Sequence, residues 1–128
     1  MREIKFRGKY DFGKRWLYGD LRHIGNIVCI YSGTDANVGS TVDPETVGQF
    51  TGIKDITGAG IYEGDIVAFK DNETDEYTRG AVLQSVLGAW LIVFEGLSVP
   101  LWNVRKTALI LSNIHDSPEF LGAINARD

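Results

Sequence analysis

The residues of this 128-residue chain that could do chemistry are a few carboxylates, two histidines, one cysteine and a basic stretch rich in rings. Glu63 and Asp65 stand two apart across Gly64. Close carboxylates can divide acid and base duties, one keeping its proton while the other works ionised. Their place just before the apolar run Ile66 to Phe69 favours a simpler reading, a turn in which a carboxylate accepts backbone amides. His23 and His115 are far apart in sequence, and neither they nor Cys29 fall at a metal-ligand spacing. Asp71-Asn72-Glu73-Thr74-Asp75-Glu76 resembles the start of a calcium loop. Glu76 replaces the glycine that the sharp turn needs, and no suitably placed glutamate follows, so the run reads as a solvated hairpin tip. The glycine-rich stretch Ser32 to Ser40 would cradle a phosphate only by opening a helix, and no helical periodicity follows. No catalytic constellation, metal site or cofactor emerges, and the expectation is a protein that is not an enzyme.

The N-terminus offers a different chemistry. Lys5, Arg7, Lys9, Lys14, Arg15 and Trp16 are candidate nucleic-acid-binding residues, interleaved with Phe6, Tyr10, Phe12 and Tyr18. Cations can bind phosphates while rings stack on bases. The competing reading puts the rings in the core and leaves the cations as a solvated edge that discourages strand pairing. Residues 1 to 22 carry seven lysines and arginines against three acids, a balance of +4, which leaves −8 for the rest of a chain whose net charge is −4. That acidity would repel a long polyanion away from the patch, so edge protection is favoured.

The elements that must position these residues are short strands. Glu3 to Lys9 alternates, with Ile4 and Phe6 on one side and Lys5, Arg7 and Lys9 on the other. A turn at Asp11 to Lys14 leads to Arg15 to Gly19, giving an N-terminal hairpin. Ile27 to Tyr31 is apolar enough for burial on both faces, which makes Cys29 a buried small hydrophobe with no disulfide partner. Asp43 before Pro44 suits a capped helical turn. Val47 to Thr51, Ile66 to Phe69, Tyr77 to Leu83, Ala89 to Phe94 and Thr107 to Leu111 follow as strands. Turns at Asp55 to Gly60 and at Ser85 to Gly88 punctuate them, and Pro100 limits pairing near Leu101. Ser117 and Pro118 open a short terminal helix with Phe120, Leu121 and Ile124 on one face. Fifteen glycines in a chain 44% hydrophobic fit such an all-β domain. Trp90, Trp102 and Phe120 are candidate interface residues, and the opposed charges of arm and body point to a homo-oligomer.

Four blocks carry a family resemblance: Arg2 to Arg7, Val42 to Gly52, Ile61 to Val67, and Ser112 to Leu121. In this order they resemble the signature of the YopX family of bacteriophage and prophage proteins. The resemblance implies an all-β, SH3-like small barrel with no assigned catalytic or ligand residues. Residues 8 to 41 and 71 to 107 match no fixed pattern. The expectation is one domain over residues 1 to 128, with an N-terminal hairpin region to residue 41 and the barrel and terminal helix from 42 onward. No apolar run approaches membrane-spanning length, and the expected location is the cytoplasm of the bacterial host. The leading functional expectation is a module that binds an unknown protein partner or itself. Nucleic-acid binding through the basic hairpin comes second.

Overall fold

A glycine placed where another strand crosses close sets the geometry of the first sheet. The computed structural model describes residues 4–12, 15–32, 38–70 and 75–120. Its strands form two antiparallel sheets, and the chain divides into two units, Met1–Gly52 and Ile53–Asp128. Unit 1 holds β1 (Phe6–Lys9), β2 (Trp16–Ile24), β3 (Ile27–Tyr31), β4 (Ser40–Thr41) and most of β5 (Gly48–Lys54), in the spatial order β4-β3-β2-β1-β5. Phe6, Leu17 and Leu21 pack with Val28, Ile30, Val42 and Val47. Val42 is where the chain passes from β3 to the end of β1: its amide donates to Val28 O at 3.0 Å, and the next amide, of Asp43, donates to Lys9 O at 3.0 Å. Gly8 makes room for it, since a Cβ there would lie 2.7 Å from Val42 Cγ2. Asp43 then caps a 3-10 turn, Pro44–Thr46, as its sequence position suggests. Its Oδ1 accepts from Glu45 N, and Thr46 Oγ1 accepts from Lys9 N at 2.8 Å, which pins the end of β1.

Unit 2 takes up β5 and continues with β6 (Gly60–Tyr62), β7 (Asp65–Phe69), β8 (Thr78–Gln84), β9 (Trp90–Phe94), β10 (Leu97–Pro100), α1 (Leu101–Val104) and β11 (Leu109–Asn113). The second sheet has the order β10-β9-β8-β7-β11: a four-strand meander, one turn of helix, and a last strand that returns beside the first. Val67, Phe69, Val82 and Ile92 point into a core closed by Ile61, Leu101, Val104 and Ala108. Gly80 lets β8 sit close, because a Cβ there would lie 2.5 Å from Ile92 Cγ2. The β9–β10 connection is two residues, Glu95 and Gly96, both with positive φ (50° and 76°), as a type I′ hairpin demands.

The all-β expectation holds. Both strand orders are open, however, and no barrel closes among the described residues. α1 was not anticipated, since four residues show no periodicity. Its Leu101 and Val104 are nonetheless buried in the core. The expected terminal helix begins at Glu119 and Phe120, and its continuation from residue 121 lies outside the described residues. The subdivision at residues 41 and 42 that the sequence suggested falls inside unit 1.

Candidate functional site

Cross-strand partners share a sheet face, so the pairings Arg7↔Tyr18 and Lys9↔Trp16 put cations and rings together. Arg7 Cζ lies 4.6 Å from the centre of the Trp16 ring and Lys9 Nζ 5.8 Å from it. Lys5 Nζ is 5.6 Å from the Phe50 ring, Arg15 Cζ 5.1 Å from Tyr10, and Arg22 Cζ 4.0 Å from Tyr31. All are within cation–π reach. The expectation that Arg7 belongs to a solvated outer face is corrected: it is only 5% exposed. Trp16, on the neighbouring strand, covers it. Arg15 and Arg22 are exposed, Lys5, Lys9 and Trp16 are half-buried, and Lys14 lies outside the described residues. What the face can offer an anion is a row of cations held over rings, with Arg7 closed off at its centre.

Of the two nominated carboxylates, Asp65 serves a turn. Asp65 is buried, and its Oδ2 accepts the Tyr62 amide at 2.8 Å across Glu63 and Gly64. Gly64, at φ 91°, donates to Val82 O and accepts from Ile114 N at 2.8 Å. A Cβ on Gly64 would lie 3.6 Å from His115 Nε2, so His115 stands beside this turn, a neighbour that no sequence spacing suggests. Asn113 Oδ1 accepts the amides of His115 and Asp116, and its Nδ2 donates to Asp116 Oδ2 at 3.0 Å. A second hub is Asp55. Its Oδ1 accepts from Thr57 Oγ1 at 2.6 Å and from the amides of Thr57 and Ala59, and its Oδ2 accepts from Ile110 N at 3.0 Å. Burial pushes this carboxyl up, but the four hydrogen bonds together outweigh it and hold the group below its ordinary 3.8. Among the described residues no three His, Cys, Asp or Glu side chains gather to hold a metal ion, and Cys29 is a buried free thiol.

Of the candidate interface residues, Trp90 is half-buried against the core of unit 2. Phe120 is also half-buried, 6.0 Å from Arg79 Cζ. Trp102 is 60% exposed, with Arg105 Cζ 3.6 Å above its ring. Sequence reasoning missed a pair at the β8–β9 tip: Leu87 is 93% exposed and Val86 completely so. The tip is firmly built. Ser85 N donates to Ala89 O and Gly88 N to Ser85 O, while Ser85 Oγ accepts the amides of Leu87 and Ala89. Turn tips are usually polar, so Val-Leu between Ser and Gly was a readable signal.

A model of the family described as YopX protein matches residues 3–122. No curated protein matches. Three chains of solved structures do. One is the crystal structure of protein EF1440 from Enterococcus faecalis, at 20% identity and a TM-score of 0.57, covering 94% of this chain and 99% of that one. That likeness speaks to the fold alone.

Proposed function

The chain belongs to the YopX family, and from that premise we propose that it is a non-enzymatic protein-interaction module that binds through the apolar tip of the β8–β9 hairpin. The observation that carries the reading is the fully exposed Val86–Leu87 pair on a turn held by Ser85. Large apolar side chains displayed on an ordered turn gain free energy only when something covers them. A rigid turn also spares the ordering cost of association. The engagement of Asp55, Asp65 and Asn113 in turn hydrogen bonds supports a non-enzymatic role, since these groups are committed to the main chain. The finer fold assignment belongs to the same proposal: unit 2 is an SH3-like barrel left open between β10 and β11, supported by the meander, the single helical turn and the return of β11 to β7. The phage or prophage setting and action inside the host cell rest on the resemblance in sequence. No helix among the described residues is long and apolar enough to cross a membrane.

The test is retention of host-cell proteins by immobilised chain, compared with a Val86→Ser/Leu87→Ser variant, each retained protein then being purified and its binding measured alone. Binding that the variant loses supports the reading; identical retention and identical affinities contradict it.

A second reading, nucleic-acid binding, is favoured by the row of cation–ring pairs on the first sheet. Lys5, Lys9 and Arg22 would meet phosphates, with Tyr18 the most exposed ring of that face. Titration of labelled single-stranded DNA and RNA across a salt series decides it. Binding that falls linearly in log salt, and weakens on Lys9→Glu/Arg22→Glu, would promote it.

A further inference from the structure

We infer that the covering partner of the β8–β9 tip is a second copy of this chain, whose unit 1 offers a groove for Val86 and Leu87; this rests on the tip being a binding surface. The groove, of about 280 Å³, is lined by apolar Ile27, Val28, Val42 and Pro44, with Asp11, Asn26 and Thr41 contributing polar atoms. It is smaller than most small-molecule sites and suits one or two inserted side chains. Ile27 at its lip is half exposed.

Charge supports this choice of occupant. Residues 84 to 90, Gln-Ser-Val-Leu-Gly-Ala-Trp, contain no ionisable group, so inserting them desolvates no charge. By the unit boundaries, residues 1–52 carry seven basic against six acidic groups, +1, and residues 53–128 six against eleven, −5. Contacts between two copies of unit 2 would bring −5 against −5, whereas tip into groove brings unit 2 of one copy to unit 1 of the next. The uncharged tip gives a polyanion nothing to bind, and its acidic unit would be repelled by an anionic bilayer. A tip meeting a groove is a heterologous contact. It leaves one tip and one groove open at the ends, so assembly grows past a pair unless a ring closes.

Sedimentation velocity over a concentration series up to the solubility limit tests the inference. The wild-type chain should rise above its 14.2 kDa monomer mass. Val86→Ser/Leu87→Ser, lacking the tip, and Ile27→Arg, blocking the groove, should each weaken association about tenfold or more, in line with losing a buried apolar side chain. All three positions are exposed, and matching thermal unfolding verifies that the variants fold. The decisive sample is the mixture: the intact groove of the first variant should accept the intact tip of the second, restoring a one-to-one pair and nothing larger. A wild-type chain that stays monomeric, or one whose assembly is untouched by either variant, or a mixture that fails to pair, overturns the inference. If the wild type is monomeric but a foreign protein binds the tip, the broader reading survives without this one.

Discussion

Gly8 and Val42 show how a single missing side chain fixes a crossing. Gly8→Ala would push a methyl to within 2.7 Å of Val42 Cγ2, and we expect a loss of about 1–3 kcal/mol in denaturant unfolding, the usual cost of overpacking. Adding Val42→Ala should return part of that loss, because the two changes share one space. An unchanged unfolding midpoint for Gly8→Ala would mean that the crossing is not tight. Asp55 makes a pH prediction. Its carboxyl titrates below 3.8 in the folded chain, so its stabilisation is complete above that value and is lost as pH falls through the lower folded-state value. Asp55→Asn should destabilise by about 1–3 kcal/mol at neutral pH, since one oxygen would become an amide facing a donor. The gap to wild type should narrow below pH 3.8, and a gap constant from pH 7 to pH 3 would contradict the ionic account. At this scale Asp43 as a cap and Asp65 at a turn were legible, because a short side chain beside a proline or glycine has few uses. The burial of Arg7 was not. Alternation tells which side a residue takes, and not that Trp16 across the strand would lie over it.

Among the elements, the hairpins carry the functional argument. Ser85→Ala removes the acceptor for two tip amides while leaving the strands. We expect a stability cost of about 1 kcal/mol or less, faster amide exchange at Leu87 and Ala89, and weaker partner binding. Exchange rates equal to wild type would show that Ser85 does not order the tip. The neighbouring turn gives an opposite case: Glu95 holds φ 50°, where Asn is tolerated better, and Glu95→Asn should raise stability by a few tenths to about 1 kcal/mol. A lower melting temperature would mean that the glutamate side chain contributes more than the strain it carries. Of the meander, β7, β8 and β9 were readable from β-branched runs between turn residues, whereas β10 was not read as a strand. α1 was not, because its reason for existing is the tertiary placement of Leu101 and Val104.

For the whole molecule, the four blocks that resemble the family pair with each other in space. The first block meets the second through Phe6↔Gln49 and Arg7↔Gly48, and the third meets the fourth through Asp65↔Asn113 and Ile66↔Ser112. The patterned residues are those that fix registers and turns, which is why they disclosed the fold and not a role. The hairpin tip that carries the functional reading lies outside those four blocks. The division into a +1 unit and a −5 unit was only partly visible, because the +4 of residues 1 to 22 is diluted by acids before residue 52.

The central claim is that the chain binds protein through Val86 and Leu87. Its most direct test is a photo-crosslinking side chain placed at position 87, and at the exposed control position of Glu76, in chain produced inside a bacterial host and irradiated there. The account predicts discrete covalent protein adducts from position 87 that are missing from position 76, with a chain-plus-chain mass if the partner is a second copy. No adduct from position 87, or the same adducts from both positions, would contradict it.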